Sequence, residues 1–215
     1  MLTDIQELRR LTSPIPLPQA LVCDNGRIWL SSRGSGAINV LDAESWKVER
    51  EYTGPGPTFG LTVAGDELRA VVSEDDDDRY LRRFLPASGF APERHPLPEL
   101  TGSYLGFAGG QLYLTQWYNQ KLLLIDDRVR VSKAIDVPHQ ICGCVAVGAA
   151  ILLMTTDDEE SNDYFITRVD VRKSEPTFED LARVPFHARS LAWDGERFWT
   201  SHREADQVVA FKIPL

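Results

Sequence analysis

Three of the four histidines, His139, His187 and His202, have the chemistry of a metal or acid–base site. Neutral imidazoles ligate Zn²⁺ and similar divalent ions, and three of them leave a coordination position open for water or substrate. None shares the short local spacing of a zinc motif, so only the fold can bring them together. His95, between Arg94 and Pro96, reads as plain surface. A second set is Arg33, Arg189 and Arg203 with Gln19, Gln116, Trp117 and Tyr118. Guanidinium groups clamp a carboxylate or phosphate through two N–H groups at once, and an aromatic plane beside them stacks on a flat ligand. The same arginines can instead pair with Asp and Glu between structural units. Two acidic runs, Glu74 to Asp78 and Asp157 to Glu160, lack the alternating ligands and turn glycine of a calcium loop, and they read as solvated loop tips. Cys23, Cys142 and Cys144 have apolar neighbours and no disulfide or zinc spacing, which makes them buried, inert thiols. No G-x-S-x-G, H-E-x-x-H or phosphate-cradling glycine loop is present.

What must position these side chains is a repeat. Ala20-Leu21-Val22-Cys23-Asp24-Asn25-Gly26-Arg27-Ile28-Trp29-Leu30-Ser31-Ser32 has the same grammar as Leu191-Ala192-Trp193-Asp194-Gly195-Glu196-Arg197-Phe198-Trp199-Thr200-Ser201. Each reads as an apolar strand, a tight glycine turn, and a second strand that ends in small hydroxyl residues. Aligned on Trp29, the counterparts are Arg69, Tyr113, Leu152 or Leu153, and Trp199. That makes four steps of about 42 residues, the length of a four-stranded propeller blade. A third and a fourth strand follow in each unit, such as Lys121 to Ile125 and Arg128 to Val131. No stretch keeps a 3.6-residue apolar period for three turns, so helix is minor.

The reading is an all-β, five-bladed β-propeller of four-stranded antiparallel blades in a single domain of 215 residues. The blades span about 19–56, 57–101, 102–138, 139–186 and 187–215. The last stops after its third strand, and the segment at about 4–12 resembles the fourth strand that ends near Val184. The N-terminal strand is expected to complete the last blade and close the ring. In such a ring, the loops leading into first strands and out of second strands open on one face. Gln19, His139, His187 and Arg189 belong to the former; Arg33, Gln116, Trp117, His202 and Arg203 to the latter. Function is expected on that face, with His202 and Arg203 beside His187 and Arg189.

The net charge of −9 argues against nucleic acid or an anionic membrane as partner. No apolar run approaches the roughly 20 residues of a membrane span, and the polar stretch from Met1 to Pro18 shows no secretory signal. The expected location is cytoplasmic.

The strand, turn, aromatic strand and polar exit resemble the broad propeller group of NHL, SMP-30/gluconolactonase and glutamine-cyclotransferase-like proteins. In blade number the chain is similar to the plant- and bacterial-type glutaminyl cyclotransferases, whose Thr-Gln-Gly-Leu segment Thr58-Phe59-Gly60-Leu61 resembles with its glutamine replaced. The resemblance places that family's catalytic glutamate near Ala70, where the nearest carboxylates are Glu67 and Glu74. It therefore implies the fold without the cyclase's acid. The leading expectation is a noncatalytic propeller that binds a small molecule or a protein through its channel mouth. The alternatives are a metal-assisted hydrolase, lyase or cyclotransferase with His139, His187 and His202 holding a divalent metal, and a purely structural interaction module.

Overall fold

Asp194 shows how one residue sets a blade's first hairpin. Its Oδ1 accepts hydrogen bonds from the backbone N–H groups of Glu196 and Arg197 at 2.8 and 2.7 Å, while its Oδ2 accepts from the Trp199 indole at 2.7 Å. Gly195, at φ 102°, supplies the left-handed turn residue that a side chain resists. The structure is a computed structural model that describes residues 2–214.

Strand β1 (Gln6–Thr12) comes first. The first blade is β2 (Pro18–Asp24), β3 (Arg27–Ser32), β4 (Ala37–Asp42) and β5 (Val48–Thr53). The second is β6 (Thr58–Ala64), β7 (Glu67–Glu74), β8 (Asp78–Leu85) and β9 (Gly89–Pro96). The third is β10 (Leu105–Ala108), β11 (Gln111–Gln116), β12 (Lys121–Ile125) and β13 (Val131–Asp136). The fourth is β14 (Gln140–Val147), β15 (Ala150–Thr156), β16 (Tyr164–Asp170) and β17 (Thr177–Val184). The fifth is β18 (Ala188–Trp193), β19 (Phe198–His202) and β20 (Gln207–Lys212), and β1 is its outermost strand. Each sheet has four strands paired antiparallel in order, and the chain is a five-bladed β-propeller closed by its N-terminal strand.

The innermost strands β2, β6, β10, β14 and β18 pack on one another around a central channel. Register confirms the repeat: Trp29, Arg69, Tyr113, Leu152 and Trp199 pair with Val22, Thr62, Gly106, Val145 and Ala192, each one or two residues before the end of its inner strand. Of the two leucines open to that alignment, Leu152 is the equivalent one. The core lies between blades. Trp29 stacks on Tyr52 at 5.7 Å and meets the Phe84 edge at 5.6 Å across the first two blades, and Trp46 stacks on Trp199 at 6.1 Å across the closure. Aromatic pairs of this geometry add about 0.5–1.5 kcal/mol beyond the area they bury. Cys142 and Cys144 are buried, and burial pushes all three thiols up, Cys144 to about 12. Among the described residues no helix is long and apolar enough to cross a membrane.

Candidate functional site

The inner strands do not run straight into the channel mouth. In β2, β6, β14 and β18 the pairing register shifts at the start of the strand, between Pro18 and Leu21, Thr58 and Gly60, Ile141 and Gly143, and Arg189 and Ala192. Such a β-bulge bends the strand and re-aims the extra residue's side chain. Gln19 and Phe59 lie within two of these bulges, Arg189 flanks a third, and all three line a cavity of about 240 Å³. The loop before β10 contributes Thr101, Gly102, Ser103 and Tyr104. Loops leaving the second strands bring Arg33, Asp77, Trp117, Tyr118, Glu159 and Arg203, and the start of β8 brings Arg79.

Four arginines meet here. Arg189 is 4% exposed; its Nη1 donates to Tyr164 Oη at 2.5 Å and Ala188 O at 3.0 Å, and its guanidinium lies 5.1 Å from the Trp117 ring centre. Arg203 Nη1 donates to Gln19 Oε1 at 2.9 Å and its Nη2 to Glu204 at 3.1 Å. Because arginine only donates, that bond fixes the Gln19 amide: its Nε2 must be the atom that donates to Tyr104 Oη at 2.9 Å. The Tyr104 hydroxyl thus accepts from Gln19, and its own proton has no acceptor among the described residues. Burial pushes that phenol up to about 12, so it stays a neutral donor. Arg79 lies over the Phe59 ring at 3.3 Å, and burial lowers its pKa against the pull of Asp77. Arg33 is exposed, 5.2 Å from the same ring, and makes no side-chain hydrogen bond or ion pair among the described residues.

Besides Glu204 on Arg203, two carboxylates of the cavity lining face these cations. Asp77 is occupied: Oδ1 accepts from Ser73 Oγ at 2.6 Å, and both oxygens accept from Arg79 Nη2 at 3.0 Å. Burial opposes its ionisation, but Ser73 and Arg79 outweigh that and hold its pKa below the ordinary value. Glu159 lies 3.6 Å from Arg189 Nη2. The site holds more donors than acceptors, and it suits an acceptor-rich anion with a flat face.

Of the residues singled out in the sequence, Gln19, Arg33, Trp117, Tyr118, Arg189 and Arg203 line the cavity. Gln116 does not. It is 1% exposed, and its amide braces the loop before β10 by donating to Pro98 O and Thr101 O at 3.0 and 3.3 Å. The three histidines are not assembled into a ligand set. His139 Nδ1 pairs with Asp157 at 2.5 Å, while His187 and His202 lie side by side, ring centres 6.4 Å apart, outside the cavity. Among the described residues no three His, Cys, Asp or Glu side chains come together as metal ligands. Of the expected group His187, Arg189, His202 and Arg203, the two arginines line the cavity and the two imidazoles do not. From the acidic runs, Asp77 and Glu159 reach the cavity. Arg79 was hidden in the sequence by the acidic run before it. Phe59 and Tyr104 were visible only as residues leading into first strands.

Larger surface clefts of about 480 and 540 Å³ lie elsewhere, but paired ions line them: Arg168 with Glu179, and Arg69 and Arg83 with Glu67 and Asp127. At its other end the channel opens onto a smaller void of about 130 Å³ whose lining residues include Val63, Phe107 and Trp193.

No family model matches the chain, and no curated protein matches its sequence. Among solved structures it is similar to the Myxococcus xanthus glutaminyl cyclase, with a TM-score of 0.75, 12% identity and 97% of each chain covered. It is also similar to the PQQ-bound aldose sugar dehydrogenase of Streptomyces coelicolor, with a TM-score of 0.62 and 11% identity over 97% of this chain and 98% of that one. A streptogramin B lyase structure follows at 0.58 and 12%, covering 96% and 87%. At such identities the likeness is one of fold: the chain is a propeller similar to glutaminyl cyclase and to other propeller proteins.

Proposed function

We propose that the chain is a binding protein for a small organic anion with a flat body, held at the channel mouth and not chemically converted there. The observation that carries this reading is Arg189. A guanidinium only 4% exposed beside a cavity needs an anion, Glu159 at 3.6 Å meets its charge without a hydrogen bond, and Arg33 and the Tyr104 proton stand unengaged around the same space. Phe59, Trp117 and Tyr118 offer planes for the ligand's flat part.

Conversion would need a group able to take and return a proton. Asp77 is held ionised by Ser73 and Arg79, which makes it a poor acid and a weak base, and Glu159 is the counter-ion of Arg189. The carboxylates near the position that a cyclase's acid would occupy are engaged too. Glu67 pairs with Arg69 and Arg83, Glu74 pairs with Arg82 and Arg94, and Ala70 is fully buried between blades.

The test is titration with benzoate and with phenyl phosphate at low salt, read by calorimetry and tryptophan fluorescence. Arg33→Ala and Arg203→Ala are each expected to weaken binding about five- to tenfold, or ~1–1.4 kcal/mol, and added salt to weaken it further. Binding that ignores both substitutions overturns the assignment of the site, and turnover of a bound acid overturns the noncatalytic part.

A further inference from the structure

We propose that Glu159 is the resident anion of this site and that a ligand monocarboxylate binds by taking its place on Arg189. The inference rests on the anion-binding reading above and names the ligand class. Arg189 is too deep to stay without a counter-ion, and Glu159 is the carboxylate that reaches it, with Oε2 at 3.6 Å from Nη2. That separation is an ion pair without a hydrogen bond. The Glu159 side chain is 50% exposed, and its carboxylate accepts no hydrogen bond among the described residues. The contrast with Asp77 is sharp, since both of its oxygens are held. Glu159 compensates the buried charge without being fastened to it.

The backbone explains why it is there. Tyr164 Oη accepts from Arg189 Nη1 at 2.5 Å and donates to the Glu159 carbonyl oxygen at 3.0 Å. Thr156 Oγ1 closes the base of the same loop, lying 2.9 Å from both Asp158 O and Asp163 O with its one proton shared between them. The main chain at Glu159 is thus tied to the guanidinium through one phenol, while the side chain remains free to turn out to solvent. A carboxylate arriving from the cavity with Glu159 in place would put two anions on one guanidinium in a poorly solvated site. Release of Glu159 removes that repulsion, and the newcomer can reach hydrogen-bonding distance where Glu159 does not. The loop also carries Asp157, Asp158 and Glu160, all exposed, so a phosphate dianion meets more repulsion than a monocarboxylate.

The experiment compares wild type with Glu159→Gln and Glu159→Ala, using benzoate and phenyl phosphate as probes. Wild type is expected to bind benzoate more tightly than phenyl phosphate. Both variants should bind benzoate about tenfold more tightly than wild type, because no internal anion competes. Their melting temperatures should fall without ligand and rise more than the wild type's when benzoate is added, because the probe restores the missing counter-ion. Benzoate affinity that depends on Arg33 and Arg203 but is unchanged or weaker in both Glu159 variants overturns the displacement and leaves the anion site standing. Tighter wild-type binding of phenyl phosphate overturns the carboxylate assignment. Absence of binding by either probe to all three proteins overturns the anion site and this inference with it.

Discussion

His202 shows how burial and one neighbour can set a residue's protonation. Its ring stacks on Phe186 at 5.2 Å, and Arg10 Nη1 lies 3.5 Å from Nδ1. An arginine can only donate, so that contact needs Nδ1 unprotonated. Burial chiefly, then the charge of Arg10, lowers the pKa of His202 from the ordinary 6.5; Glu204 pulls the other way and His187 adds to the lowering. The sign follows from linkage. As pH falls through about 6.5 the unfolded chain takes up the proton first, so it binds more protons than the folded chain and stability declines. The His202 contribution is complete above that value and is lost progressively below it, down through the lowered folded pKa. Urea unfolding at about pH 7.5 and about pH 5.5 should show a wild-type midpoint that falls further than that of His202→Gln. Equal falls in the two proteins would show that His202 titrates freely. The same residue marks a limit of sequence reading. The repeat placed His187 and His202 on the correct face, but which way a ring points depends on Phe186 and Arg10, neither of which the spacing addresses.

At the scale of elements, the repeat spacing and turn glycines made the hairpins and blade order legible, because both act locally along the chain. The bulges that build the site were not. One extra residue at a strand start leaves the apolar alternation nearly intact, and its partner lies on another strand. Gly60 is the position where this matters most. A Cβ there would fall on the Ser103 carbonyl oxygen and within 3.0 Å of Tyr104 Cα, backbone atoms that have no rotamer to give. The glycine is thus what lets β6 approach the loop before β10, and it sets Phe59 and Tyr104 on adjoining walls of the cavity. Gly60→Ala is expected to destabilise the protein by about 1–3 kcal/mol and to weaken benzoate binding more than Gly65→Ala does. Gly65 is the matching control, a turn glycine at φ 70° with open space around it, whose substitution strains only the turn. Equal effects on binding from the two would show that the bulge does not shape the site.

Whole-molecule closure is where strands distant in sequence become one structure. Pairing of β1 with β20 runs from Gln6 opposite Lys212 to Thr12 opposite Gln207, covering a strand whose Val208, Val209, Ala210 and Phe211 are fully buried. The segment also fastens the last blade to both neighbours. Arg9 donates to Ala43 O and Glu44 O at 3.1 Å, the Trp46 indole donates to Thr12 O at 2.8 Å, and Ile5 N donates to Arg183 O at 2.8 Å, beside the Arg183–Asp4 ion pair at 2.6 Å. Closure reaches the site as well, since just after β1 Ser13 N donates to Asp206 O and Asp206 Oδ1 accepts from Leu17 N, at the C-terminal end of the turn that carries Arg203. Without β1, an apolar strand edge would face water and invite pairing with another chain. Deletion of residues 2–12 is therefore expected to lower the melting temperature by roughly 10 °C or more, as loss of several kcal/mol does in a chain of this size, and to promote association. Benzoate binding should weaken in the same variant. A synthetic peptide of residues 2–12 added in trans should restore both, because it supplies the missing edge. A truncated chain that melts with the full-length protein and stays monomeric would show that the ring holds without its closing strand.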